Sequence, residues 1–258
     1  MSSHSQCAAF FFSLGVEPYF DIRYPDALSG GELDQLLALG WFRMHQAIFT
    51  TSHLQREGLL RVHWLRFELA QLQVHRSHKR LRNRNRQFSA EISPLHHVLA
   101  EHEELFARYR ACIDFDGAES VAGWLWGDEP HRASIYQTHC LAIRDGGKLI
   151  AGGCFDLGND SAASILHYFD PAYARFSLGR YLMLCTLDYL RGHHYRYYYP
   201  GYVVEGDAKM DYKLFLGPEA AHYFDPESTQ WKPLAHLLPT RFRYSVGNSR
   251  PVFIRNED

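Results

Sequence analysis

The chain has no surplus of either charge. Its 258 residues carry 27 Lys and Arg against 29 Asp and Glu, a formal net charge of −2. No bulk cationic field draws it onto nucleic acid, so any such contact has to come from a local patch. Cysteine is sparse and scattered: Cys7, Cys112, Cys140, Cys154 and Cys185 make an odd total of five, with no CxxC pair. That argues against a disulfide-framed fold and suits reduced core thiols in a cytoplasmic protein. No apolar run is long enough to span a bilayer. Residues 8–14 are apolar but short and lack a basic leader, so neither a membrane partner nor a signal peptide is expected. Internal repeats and low-complexity runs are absent. A chain of this length is one large domain or two small ones.

The most informative stretch runs from His167 to Lys213. Residues 161–169 are β-branched and aromatic enough for a strand, and Asp170-Pro171 stops it. Ser177 is placed to cap a helix with its hydroxyl. Leu178, Leu182, Cys185 and Tyr189 recur at helical spacing, with Gly192 as the terminating glycine. Residues 195–199 read as the next strand, closed by Pro200-Gly201. A helix opening at Leu178-Gly179-Arg180 presents free amides and a positive dipole end, a place for an anion. An empty β-α-β crossover accounts for the same pattern.

Elsewhere, Ser29 to Glu32 starts a helix that Gly40 ends, and residues 41–43, 47–51 and 59–69 read as strands. Residues 94–110 read as a helix whose His96, His97 and His102 are surface groups, since no cysteine or paired carboxylate stands at ligand spacing. Residues 135–144 and 148–157 form a hairpin across Gly146-Gly147. Pro218-Glu219 begins a short helix, and Trp231-Lys232-Pro233 reads as a loop anchor. The composition is most unusual at 75–86, HRSHKRLRNRNR, where Arg76, Lys79, Arg80, Arg82, Arg84 and Arg86 stand without an acidic residue. Solvated helices interleave both signs, whereas arginine forks match phosphate oxygens. This stretch is expected to be a nucleic-acid backbone contact.

Strand, hairpin, strand, strand, helix, strand is the order of the GCN5-related N-acyltransferase (GNAT) fold. The acetyl-CoA loop of that fold, Arg/Gln-x-x-Gly-x-Gly/Ala, is not matched: Arg175 lies four residues before Gly179, and Tyr181 stands where a small residue is needed. The C-terminal half more closely resembles the aminoacyl-tRNA–protein transferases, the arginyl-transferring enzymes and their leucyl-transferring relatives. The resemblance rests on Phe169-Asp170-Pro171, Ser177-Leu178-Gly179, Tyr199-Pro200-Gly201-Tyr202, Lys209 to Lys213 and Trp231-Lys232-Pro233, with fainter echoes in Gly40 to Arg43, Arg66 and Lys79 to Asn85. The cysteine cluster that the family carries after its early Gly-Trp/Phe-Arg segment, linked there to a metal or iron–sulfur centre, is missing from residues 49–63, so no metal and no cofactor is expected.

The resemblance implies a mixed α+β, GNAT-like sheet with flanking helices. It implies three parts: an N-terminal subdomain (1–132) carrying the basic arm, an acyltransferase core (133–240) and a tail (241–258). The implied reaction moves an arginine- or leucine-type amino acid from aminoacyl-tRNA to the α-amine of a protein or peptide. Neither DNA nor a membrane is a partner. The basic arm with Asn85 would grip the acceptor stem, and Arg175, Ser177, Gly179 and Arg180 the terminal phosphates. Tyr199 and Tyr202 would stack on the terminal adenine. Lys209 or Lys213 would pair with an acidic acceptor. Asp156 or Asp211, with Tyr212 beside them, would take the amine proton or hold a cationic aminoacyl side chain. In plainer readings Tyr212 packs in the core and Lys213 is a surface charge. A CoA-dependent N-acyltransferase and a non-catalytic tRNA-binding module are the alternatives.

Overall fold

The computed structural model describes residues 18–55, 58–113, 117–129 and 133–237. The apolar run at 8–14, the tail at 241–258 and part of the expected boundary near 132 lie outside them. The chain begins with β1 (Phe20–Arg23) and α1 (Gly30–Ala38). Ser29 Oγ accepts from Glu32 N at 3.3 Å while the Glu32 carboxylate accepts from Ser29 N at 2.8 Å, a reciprocal cap that satisfies two otherwise orphaned amides. Next come β2 (Phe42–Met44), β3 (Ala47–Thr51), β4 (His53–Gln55), β5 (Leu59–Glu68), α2 (Arg76–Asn85) and β6 (Ser89–Pro94). They are followed by α3 (Ala100–Arg110), α4 (Val121–Trp126), β7 (Thr138–Asp145), β8 (Lys148–Leu157), β9 (Ser161–Phe169), α5 (Leu178–Gly192), β10 (Tyr197–Val204), β11 (Ala221–Asp225) and β12 (Gln230–Pro233).

A small sheet has the order β1-β3-β2. The large sheet is nine-stranded, ordered β12-β11-β5-β10-β9-β8-β7-β6 with β4 beside β5. Its pairs are antiparallel except β9 and β10, which α5 connects. A parallel pair needs such a crossover. Successive side chains point to opposite faces of a strand. Leu141, Phe155 and Phe169 therefore meet Leu182 and Leu187 of α5 on one face, while Cys140, Cys154 and Tyr168 meet Leu105 and Phe106 of α3 and Leu125 of α4 on the other. This is the expected mixed α+β, GNAT-like arrangement of hairpin, strand, helix and strand. β5 lies between β10 and β11, and β6 pairs with β7, so one sheet runs across the expected boundary at 132.

Four local expectations are corrected. Residues 89–94 form an edge strand and the helix begins only at Ala100; Ile92 alone marks the strand, and only its pairing with β7 reveals it. Gly192 is the last helical residue, and the left-handed position falls on His194, φ 63°. β10 does not stop at Pro200-Gly201 but continues through it, the register shifting between Tyr198 and Gly201. Trp231 to Pro233 pairs with β11, and Trp231 Nε1 donates to Ala38 O at 2.8 Å. The Gly146-Gly147 turn is as expected, with φ of 54° and 94°, values that suit a hairpin turn built of glycine. Among the described residues no helix is long and apolar enough to cross a membrane.

Candidate active site

β9 and β10 pair only from Tyr197↔Ser161 to Tyr199↔Ala163. Beyond that point both strands are disturbed. Cys154 faces Leu166 and Phe155 faces Ser164, which leaves Ile165 as an extra residue in β9, a bulge that bends the strand. In β10, Pro200 has no amide to donate and Gly201 takes φ 92°. The strands part, and residues of both, Ser164 to His167 and Pro200 to Tyr202, help to line a cleft of about 2670 Å³ whose wall also takes in residues of β1, β3, β4 and α4.

Lys213 and His167 line this cleft, the first buried and the second half-buried. With β9 gone from its side, the Tyr202 carbonyl takes the Lys213 ammonium instead of a strand amide, at 2.7 Å. The same Nζ lies 5.0 Å from the Tyr202 ring centroid and 6.0 Å from that of Tyr212. Lys213 is 8% exposed. Burial favours the neutral amine and lowers its pKa to about 7, and among the described residues no carboxylate pairs with it. Half-buried His167 is pushed down to about 4, first by burial and then by the Lys213 ammonium. Its Nε2 lies 3.3 Å from Ser164 Oγ.

Arginine rims the cleft. Arg84, Arg175 and Arg180 line its mouth with Ser177 and Gly179 at the start of α5. Arg84 Nη1 donates to Arg175 O at 3.3 Å, which joins α2 to the segment before α5. Burial lowers the Arg180 pKa, and its guanidinium stands 5.3 Å from the Phe215 ring. Ser177 occupies the cap position, but its hydroxyl caps nothing: its backbone is left-handed at φ 54°, and its carbonyl accepts from Arg180 N and Tyr181 N at 3.1 Å. Tyr181 is buried in the core, so its ring does not cover these amides as its position in the loop suggested. The outer face of α2 exposes Arg76, Lys79 and Arg80, and Arg86 is exposed at its C-cap. Its inner face is tied down: His78 Nε2 to Phe215 O at 2.9 Å, Asn85 Nδ2 to Phe176 O at 3.1 Å, and Arg82 to Asp188 at 2.7 Å.

Several expected site residues do not reach the cleft. Asp156 is 0% exposed; its Oδ1 accepts from Arg43 Nη1 at 2.8 Å and from Thr138 Oγ1 at 2.7 Å, under the sheet. Tyr199 is 1% exposed, edge-on to Phe42 and Trp231, and has no face left for a base. Asn85 is buried in its helix contact, and Arg82 is occupied by Asp188. Asp211 is half-buried and does not line the cleft; burial and then Asp207 raise its pKa. Tyr202, Lys209 and Tyr212 do line it, with Tyr212 packed partly against the core. The surface reading of Lys213 is excluded by its burial. His102 is buried as well, its Nδ1 2.6 Å from the Tyr168 hydroxyl. The sequence reading missed His167, Ser164 and Gly153. Their signal was a polar His and Ser on an otherwise apolar strand.

The residues do not fit the family's metal centre. An iron–sulfur cluster needs thiolates. Residues 49–63 offer none, and their two histidines are engaged: His53 Nδ1 with Ser52 Oγ at 2.8 Å, and His63 Nε2 with Glu205 at 2.7 Å. Among the described residues no three His, Cys, Asp or Glu come together to hold an ion.

A family model described as arginine-tRNA-protein transferase, C terminus, matches residues 73–222, from the segment before α2 into β11. The chain belongs to the arginine-tRNA-protein transferase family. It is an aminoacyltransferase. An aspartate/glutamate leucyltransferase of Acinetobacter baumannii is 27% identical over 226 residues, covering 87% of this chain and 80% of the relative. One from Leptospira interrogans is 24% identical over 225 residues, covering 84% of each. Among solved structures, L-PGS from Bacillus licheniformis overlaps with TM-score 0.42 at 11% identity, over 55% of this chain and 46% of that one. The ribosomal-protein-S18-alanine N-acetyltransferase from Escherichia coli overlaps with TM-score 0.30 at 19% identity, over 42% and 63%.

Proposed function

We propose that this transferase moves a leucine-type, apolar amino acid from the 3′ ester of its tRNA to the α-amine of a protein or peptide whose first residue is acidic. One observation carries the reading: among the described residues no carboxylate pairs with the buried Lys213 ammonium, which lines the same cleft as Arg84, Arg175 and Arg180. A buried, incompletely compensated cation is costly and calls for an anion from the substrate. The aspartate or glutamate side chain of the acceptor supplies it. The donor pocket beside it is formed by Ile165, Leu166, Phe169 and Met210. The carboxylates that line the cleft, Glu119, Asp128 and Glu129, belong to α4 and its flanks rather than to this end. An arginyl side chain placed here would bury a second cation beside Lys213, whereas a leucyl side chain buries only apolar surface. The names of the relatives agree with both choices.

The ester is already activated, so the protein's part is to position two substrates and dispose of one proton. Arg84, Arg175 and Arg180 hold the terminal phosphates, with the amides that open α5. The exposed α2 residues Arg76, Lys79 and Arg80, with Arg86 at the C-cap, follow the acceptor stem. Tyr202, half-buried at the cleft, takes the base-stacking role alone. The test is transfer from leucyl- and arginyl-tRNA to peptides that begin with Asp, Ala or Lys, with acetyl-CoA as the competing donor. Leucine transfer to the Asp peptide, abolished by Lys213→Met with tRNA affinity unchanged, is the expected result. Arginine transfer, or acetyl transfer without any tRNA requirement, overturns the reading.

A further inference from the structure

The imidazole of His167 occupies a niche that the sheet has been cut back to admit. Its register partner on β8 is Gly153. A Cβ on Gly153 would stand 2.9 Å from His167 Cδ2 and 3.5 Å from Nε2, a contact that real side chains do not make. The ring therefore lies over the β8 backbone, two residues beyond the bulge at Ile165 that aims this part of β9 into the cleft. Ser164 Oγ lies 3.3 Å from Nε2; the hydroxyl can donate or accept there, so it accommodates the ring in either tautomer and leaves Nδ1 as the second proton site. The charged and titratable groups around this part of the cleft are Lys213 and Tyr212 from the segment after β10, Tyr202 from β10, Tyr109 from α3 and Arg180 from α5; β8 presents Gly153.

Resting on the transferase reading above, we propose that His167 carries the proton from the attacking amine to the departing 3′ oxygen of the donor ester, and that it does so fully only when the acceptor's own carboxylate occupies Lys213. The balance is simple. The free amine attacks the ester carbon, and a C–N bond forms. The nitrogen gives up one proton to the imidazole, the C–O bond breaks, and the imidazolium returns that proton to the 3′ oxygen. Nothing is oxidised or reduced. The coupling to Lys213 is electrostatic. In the empty cleft burial and the nearby ammonium hold the imidazole at about 4, too weak a base for this work. Burial remains, but a carboxylate seated on Lys213 cancels the second cause, the ammonium, and adds a negative neighbour, which raises the basicity of the imidazole above that in the empty cleft. An acidic acceptor is then selected twice, by binding to Lys213 and by the rate of proton transfer at His167.

The experiment compares kcat and KM for Asp- and Ala-initiated peptides in the wild type, His167→Gln and His167→Ala, with thermal melts as the folding control. Positioned acid–base groups contribute about 10²–10⁴-fold. The expected result is a loss of at least about 100-fold in kcat for the Asp peptide, with KM for that peptide within about twofold of wild type and kcat for the Ala peptide changed less than about fivefold. Added imidazole should restore part of the His167→Ala rate with the Asp peptide only. Should His167→Gln misfold, Gly153→Ala displaces the ring without removing it and should reproduce the kcat loss. A kcat equal to wild type, a pure KM effect, or equal losses with both peptides overturns the proposal while the transferase reading stands. A wild-type protein that transfers to no peptide overturns both.

Discussion

Among the described residues Arg43 and Lys213 are the buried arginine and lysine, and they are treated in opposite ways. Arg43 is enclosed by partners: Asp156 and Thr138 on β8 and β7 at 2.8 Å, the Leu125 carbonyl, the His45 carbonyl at 2.7 Å and the Tyr136 ring at 4.4 Å. Lys213 has a single backbone carbonyl, a thioether at 3.8 Å and two tyrosine rings. The first arrangement ties β2 to β7, β8 and α4 and has no room for a ligand. The second leaves a charge with no carboxylate beside it among the described residues, which suits the anionic acceptor proposed above. Buried ions that serve the fold bring their counter-ions with them, and those that serve a substrate are left short of one.

Breaking the first arrangement should have the largest effect on stability. Asp156→Ala strands the Arg43 guanidinium in the interior and should cost ~3–5 kcal/mol in urea unfolding, with transfer lost only as folded protein is lost. Lys213→Met should act in the opposite direction. It removes a poorly compensated ammonium and should raise stability by ~1–4 kcal/mol while transfer to acidic acceptors disappears. If Lys213→Met destabilises the protein as strongly as Asp156→Ala, the contrast between the two sites is false.

The pH dependence of folding gives a second handle on Lys213. Its folded pKa of about 7 lies below the ordinary lysine value, so between the two the unfolded chain holds a proton that the folded chain does not. Stability should therefore rise as pH increases from about 7 toward ~10, and remain flat with respect to this group below 7. Lys213→Met should lose that slope. The activity runs the other way, since an acidic acceptor needs the charged form: selection for Asp over Ala peptides should fade as pH rises through the lysine's titration.

A smaller effect is expected at the niche beneath His167. Gly153→Ala crowds the ring and should cost ~1–3 kcal/mol, whereas Gly146→Ala, in open space, meets only the strain of φ 54°. The smallest effects belong to the rim. Arg84→Ala and Arg175→Ala should leave the melting temperature within about 1 °C of wild type, as surface changes do, and each should lower the salt slope of tRNA binding by roughly one unit, by removing a phosphate contact. Unchanged slopes in both would detach the arginine rim from tRNA.

Much of this architecture follows from local rules. Turn chemistry placed the β7–β8 hairpin at Gly146-Gly147, periodicity placed α5, and a basic run without an acidic residue marks α2 in the sequence. Those features depend on residues near one another in the chain, and local backbone and charge preferences decide them. The site was legible only in outline. Lys209 and Lys213 were equal candidates to pair with an acidic acceptor, since a lysine in a run of mixed polarity carries no mark of burial, and only the tertiary structure buries Lys213. Asp156 and Tyr199 looked equally eligible, and only the tertiary structure turned one toward Arg43 and the other into the aromatic core. The cleft itself is not a property of any segment. It exists because an extra residue in β9 and Pro200-Gly201 in β10 fall at the same level of two strands joined through a helix, and register between strands is set by the whole sheet.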